Sequence, residues 1–145
     1  MRYKRTMKRS EKVTHLISGE PVTVHEKQKL SEVRAALNEH RIHHIPVVSG
    51  GRFIGLVSAS DLLRVSYGDT YTQDPRTIDA LLDTMTIREV MAEDVLTASP
   101  DDTIRDAAEK LANGAFHCLP IVAANGELKG VVTSTDLIKF LLDQF

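Results

Sequence analysis

Two short segments of this 145-residue chain could do chemistry, and they are copies of each other: Gly55-Leu56-Val57-Ser58-Ala59-Ser60-Asp61 and Gly130-Val131-Val132-Thr133-Ser134-Thr135-Asp136. In each, an apolar strand ends at a hydroxyl residue where a helix begins, and a carboxylate follows three residues on. Such spacing forms a capping box, in which the hydroxyl accepts the amide of the acid and the carboxylate reaches back; it stabilises a helix by about 1 kcal/mol and needs no ligand. The same geometry suits a ligand. Helix N-termini expose unpaired N–H groups and a positive dipole end that favour phosphate. Asp61 or Asp136 could grip a ribose diol there, with Ser58 or Thr133 on a phosphate oxygen. Gly55 and Gly130 would let the backbone approach a bound ring, or mark a bend in the strand. Duplication copies caps as readily as sites, so both readings stand.

Other reactive residues form no set. His40, His43 and His44 are close in sequence and His117 is the repeat partner of His43, but no cysteine or carboxylate accompanies them at a recognised ligand spacing. They read as polar residues lining or edging a cleft. Cys118 adjoins an apolar strand and reads as a small core residue. No nucleophile, base and orienting group stand out together, and one aspartate per copy is too few for magnesium-dependent hydrolysis. The chain is expected not to be an enzyme.

The positioning elements repeat as well. His43-His44-Ile45-Pro46-Val47-Val48 returns 74 residues later as His117-Cys118-Leu119-Pro120-Ile121-Val122, whereas Gly55 returns as Gly130, 75 residues later. One extra residue therefore falls in the turn that joins two strands. Each copy begins with a helical lead-in, at Val13 to Ile17 and Ile87 to Met91. A strand follows, at Val22 to Val24 and Val95 to Ala98. Next comes an amphipathic helix, with Leu30, Val33, Ala36 and Leu37 on one face and Ile104, Ala107, Ala108 and Leu111 on its counterpart. Gly114 is placed to stop the second helix. Hairpins pair 45–48 with 53–57 and 119–122 with 128–132, turning at Ser49-Gly50-Gly51 and Asn125-Gly126. Closing helices run from about Ala59 to Val65 and Ser134 to Leu142. The fold class is α+β, built from tandem βαββα repeats.

The expected organisation is a basic N-terminal arm at 1–12, a first repeat at 13–65, a connector at 66–86 and a second repeat at 87–145. Tyr67-Gly68-Asp69 and Asp74-Pro75 punctuate the connector, and Ile78, Leu81, Leu82 and Met85 recur at helical spacing. The arm carries Arg2, Lys4, Arg5, Lys8, Arg9 and Lys12 against Glu11, while the whole chain has a formal net charge of −2. The body is thus acidic. A nucleic-acid contact through the arm is ranked below a solvated terminus. No apolar run follows the arm that could act as a signal or span a membrane, and a single cysteine fits a reducing, cytoplasmic setting.

The apolar-Pro-apolar strands and the paired Gly-apolar-x-Ser/Thr-x-x-Asp segments together resemble the cystathionine beta-synthase (CBS) domain, whose tandem pair is called a Bateman module. The resemblance runs from about Val13 to Phe140, in order and twice. It implies two units packed through their sheets by a pseudo-twofold, with clefts that in similar proteins hold AMP, ADP, ATP or S-adenosylmethionine. Carried over by position, Asp61 and Asp136 bind ribose hydroxyls and Ser58 and Thr133 approach phosphate. Thr23, Ile45, Pro46 and Val47, with Thr97, Leu119, Pro120 and Ile121, surround base and ribose. Nucleotide-binding relatives often carry His-Arg before the Pro strand, whereas here the pairs are His43-His44 and His117-Cys118. Groups that titrate near neutrality, or not at all, replace a permanent charge, which implies weaker, pH-dependent binding. The expected function is a stand-alone regulatory module with no obligatory cofactor, self-associating as a homodimer and signalling an adenosyl ligand to a partner protein. The alternative is a ligand-free interaction or dimerisation scaffold with degenerate clefts.

Overall fold

In the computed structural model, residues 10–66 and 74–145 are described. The basic residues of the arm before Ser10, and the expected punctuation at Tyr67-Gly68-Asp69, lie outside the described residues. A 3₁₀ turn at Val13–Leu16 leads into β1 (Val24–His25), α1 (Leu30–His40), β2 (His44–Ser49), β3 (Arg52–Ser58) and α2 (Ala59–Ser66). The connector contributes α3 (Pro75–Leu82). Then come α4 (Ile87–Val90), α5 (Ile104–Ala112), β4 (Cys118–Val122), β5 (Leu128–Thr133) and α6 (Ser134–Leu142). Pro75 opens α3 with its fixed φ, and the Asp74 carboxylate accepts the Arg76 amide at 3.0 Å.

The first copy forms a sheet in the order β1-β2-β3, parallel between β1 and β2 and antiparallel between β2 and β3. In the second copy only the β4-β5 hairpin is a sheet. The strand expected at Val95 to Ala98 is reduced to a parallel bridge of Ala98 to Ile121, held by two backbone hydrogen bonds of 2.9 and 2.8 Å to Pro120 and from Val122. Both hairpins carry a bulge at the same place, after Val47 and after Ile121. The extra residue sits in the turn. Gly50 and Gly51 have φ of 58° and 81°, a two-residue turn that needs positive φ twice, while Gly126 at φ 92° closes the longer turn.

The compact units do not follow the sequence copies. Of the described residues, one unit comprises those between 22 and 95, and the other joins residues 10–21 to 96–145. The lead-in before β1 therefore belongs with the second copy, and α4 belongs with the first. In residues 22–95, Val24, Leu30, Val33, Ile45, Val47 and Val57 form a core with Leu82, Ile87 and Met91. In the other unit, Val13 packs with Ala98, Ala107, Leu119, Ile121 and Val132. Matching bridges tie each lead-in down, Lys29 to Thr86 in one and Lys12 to Thr103 in the other.

The two motif glycines explain this closure. A Cβ on Gly55 would lie 2.7 Å from Met91 Sδ and 3.0 Å from the Ala92 carbonyl; on Gly130 it would lie 2.7 Å from two carbons of Ile17. The close approach that these glycines permit is made by the chain itself. Ile17 is β-branched and stiff, so Gly130→Ala should lower stability by about 1–3 kcal/mol, a fall of about 2–4 °C in thermal midpoint per kcal/mol. Trimming the neighbour in Gly130→Ala/Ile17→Ala should return part of that loss relative to the sum of the single changes, measured as a double-mutant cycle in urea.

Candidate functional site

Both motif segments fold as capping boxes. The Asp61 amide donates to Ser58 Oγ at 3.0 Å and the Ser58 amide donates to Asp61 Oδ2 at 2.9 Å; the second copy repeats this with Asp136 to Thr133 Oγ1 at 3.2 Å and Thr133 to Asp136 Oδ2 at 2.8 Å. A further bond recurs one residue on. The Ala59 amide donates to the His43 carbonyl at 2.8 Å, and Ser134 to that of His117 at 3.1 Å. These bonds lock the helix start against the residue that enters the Pro strand. The amides of Ser60 and Thr135, in the first turns of α2 and α6, have no intrahelical acceptor by position.

Around each box the sheet register assembles the other expected residues. His44 pairs with Ser58 and Pro46 with Leu56, and Val24 lies against Val47, so Thr23 enters β1 beside Pro46. Cys118 pairs with Thr133 in the second copy, and Thr97 precedes the Ala98 bridge to Ile121. Ile45, Val47, Leu119 and Ile121 are fully buried core side chains. Their backbones, rather than their side chains, are what the site can use. Pro46 and Pro120 are buried as well, and by strand alternation they face away from those neighbours. Thr23, Thr97, His44, Ser58, Thr133 and both aspartates are half-buried, whereas His43 and His117 are exposed.

The two aspartates differ in their second oxygen. Arg64 Nη2 donates to Asp61 Oδ1 at 2.9 Å, whereas Lys139 stands at the matching place and Asp136 Oδ1 has no partner among the described residues. Burial alone would raise the Asp61 pKa, but the Ser58 amide, the Arg64 guanidinium and the Ser58 hydroxyl together hold it below its ordinary value. Arg64 was readable as an i, i+3 neighbour of Asp61. A second polar contact had no such signal: Lys110 Nζ donates to the Thr97 carbonyl at 2.8 Å from 13 residues away. Cys118 is buried, and desolvation with the nearby Asp136 charge pushes its thiol up to about 12, far from a reactive thiolate. Among the described residues, no three His, Cys, Asp or Glu side chains converge to hold a metal ion, and no helix is long and apolar enough to cross a membrane.

The chain belongs to the CBS domain family, whose model matches residues 13–68 and 87–143, one match on each copy. It is similar to MJ1225 of Methanocaldococcus jannaschii, 26% identical over 114 residues, which is 78% of this chain and 41% of that protein. The crystal structure of MJ1225 has the same fold, with a TM-score of 0.78 at 24% identity over 92% of this chain and 48% of that one. Two further structures share the fold. One is the CBS domain pair of MJ0100, solved in complex with 5′-methylthioadenosine and S-adenosyl-L-methionine (TM-score 0.75, 24% identity, 92% and 98% covered). The other is CBSX2, solved in complex with AMP (TM-score 0.77, 20% identity, 92% and 97% covered). The chain spans less than half the length of the first curated relatives it matches, and 21% of the inosine-5'-monophosphate dehydrogenase of Korarchaeum cryptofilum.

A carboxylate whose pKa is lowered by folding contributes stability that is fully present above its ordinary value of 3.8 and lost as pH falls through its lower folded value. Asp61→Asn keeps an oxygen for the Ser58 amide but loses the charge. Between about pH 5 and about pH 2, the urea midpoint of the parent should fall more steeply than that of Asp61→Asn. Glu26, Glu32 and Asp106, also lowered, leave the variant a residual acid sensitivity.

Proposed function

We propose that this chain is a regulatory module that binds an adenosine ligand, such as AMP, ADP, ATP or S-adenosylmethionine, at the start of α2, of α6, or of both, and signals its occupancy to a partner protein. The observation that carries this reading is the paired box. In each copy, one carboxylate oxygen is tied to the backbone at a helix N-terminus while the other is unpaired among the described residues, as in Asp136, or on an exposed arginine, as in Asp61. A ribose diol can take that second oxygen by charge-assisted hydrogen bonds, and the free amide and dipole of the helix start favour a phosphate beside it. The solved complexes of MJ0100 and CBSX2 support an adenosyl ligand. In this reading Thr23, His43 and His44 border the first site, and Thr97 and His117 the second. Catalysis is no part of this reading.

Self-association is part of the proposal. Helix α6 has no buried residue, and its Ile138, Leu141 and Leu142 form an i, i+3, i+4 stripe with exposures of 58, 40 and 63%. A stripe of that length suits a second copy of the chain, giving a homodimer. The scaffold reading rests on a specific observation too, because both boxes are complete as helix caps through bonds within the chain.

Thermal denaturation with AMP, ADP, ATP, S-adenosylmethionine and a guanine nucleotide separates the two. A ligand at a hundred times its dissociation constant adds about 2.7 kcal/mol, which should raise the midpoint by roughly 5–10 °C at about 2–4 °C per kcal/mol. The shift should come from adenosyl compounds and disappear in Asp61→Ala, Asp136→Ala or both. No shift at millimolar ligand, with each variant losing only about 1 kcal/mol of cap energy, would support the scaffold.

A further inference from the structure

The unit of residues 22–95 holds a half-open cavity of about 490 Å³ that adjoins the proposed adenosine site at His43 and Ala59 but includes neither Ser58 nor Asp61. It lies among α1, α2 and α3. Leu37, Ile42, Leu62 and Leu82 supply apolar wall, and Arg34, Arg41 and His43 supply the polar part of the lining. The volume falls within the roughly 300–1,000 Å³ typical of small-molecule sites. Its charges are not equivalent. Arg34 Nη1 is held by Asp79 Oδ1 at 3.0 Å, so that guanidinium is already balanced. Arg41 makes no ion pair among the described residues.

The backbone at Arg41 is the second observation. It ends α1 in the left-handed region at φ 53° and ψ 45°, where a side chain is strained and glycine is not. Among the described residues it is the one non-glycine at positive φ, and the second copy meets the same need with Gly114 at φ 77°. The strained backbone therefore sets a long cation at the cavity wall where a glycine would terminate the helix more easily.

We propose that this cavity is a second ligand site, taking an organic monoanion in which one carboxylate is joined to a compact apolar body. The carboxylate pairs with Arg41 through the two parallel N–H bonds that a guanidinium offers. The apolar body lies against Leu37, Ile42, Leu62 and Leu82. A nucleotide fits less well, because its polar base and ribose would face an apolar wall.

The probe is 4-phenylbutyrate, titrated into the ¹⁵N-labelled chain with its neutral amide as control. Saturable shifts are expected at the amides of Ile42, Leu63 and Ser66, with the neutral amide at least about tenfold weaker. Arg41→Gly, which removes the charge and relieves the backbone, should keep a thermal midpoint at or above the parent's and bind at least about tenfold more weakly. Arg41→Lys, with a point charge, should retain part of the binding. The proposal is overturned if nothing saturates by about 10 mM, if the shifts fall on α6 instead, if acid and amide bind alike, or if Arg41→Gly binds as the parent does.

Discussion

Two bare Cα positions govern how this chain closes. Gly55 and Gly130 stand in matching strands, and a methyl group on either would sit within 3.0 Å of the lead-in segment that packs there, Met91 and Ala92 in one unit and Ile17 in the other. Because that space is filled by the chain, each hairpin is completed by a segment that the sequence places with the other copy. The consequence is an energetic one. A repeat of about sixty residues buries only enough surface to be marginal alone, and exchanging the lead-ins gives each core an extra apolar contribution, Val13 on one side and Ile87 with Met91 on the other.

Most of the fold was legible because duplication displays every element twice. The helix faces, the Pro strands, the turn glycines and the closing helices followed from periodicity and turn chemistry, which are local. What was not legible is tertiary. Val95 to Ala98 carries the same alternation as its counterpart, yet pairs through Ala98 alone, since strand pairing depends on what lies alongside and not on propensity. The exchange of lead-ins was equally hidden: Ile17 and Met91 have the sequence of ordinary core residues, and the signal for their partners was the pair of glycines, which invited a ligand reading instead. The unit boundaries at 21/22 and 95/96 follow from that exchange.

At the site, the hydroxyl and carboxylate spacing was fully readable and the asymmetry was only partly so. The cap and ligand readings describe the same atoms. A box that ties one carboxylate oxygen to the backbone also fixes the direction of the other, so in the proposed function the cap would orient the ribose-binding group before any ligand arrives. Arg64 on Asp61 and the open oxygen of Asp136 make the two copies chemically unequal. Under the proposed function a ligand at the first would displace an exposed guanidinium, a contact worth little in water; at the second it would meet no competitor among the described residues. Ile45, Val47, Leu119 and Ile121, expected around the base, are spent in the cores and leave only main chain to contribute.

The central claim is that a carboxylate at a helix start grips a ribose diol. Isothermal titration calorimetry of the parent chain with AMP and with 2′,3′-dideoxy-AMP tests it without changing the protein. Loss of both hydroxyls should weaken binding by at least about tenfold, about 1.4 kcal/mol, because charge-assisted hydrogen bonds to Asp61 or Asp136 are lost. Equal affinity for the two nucleotides would contradict the account and leave the aspartates as helix caps.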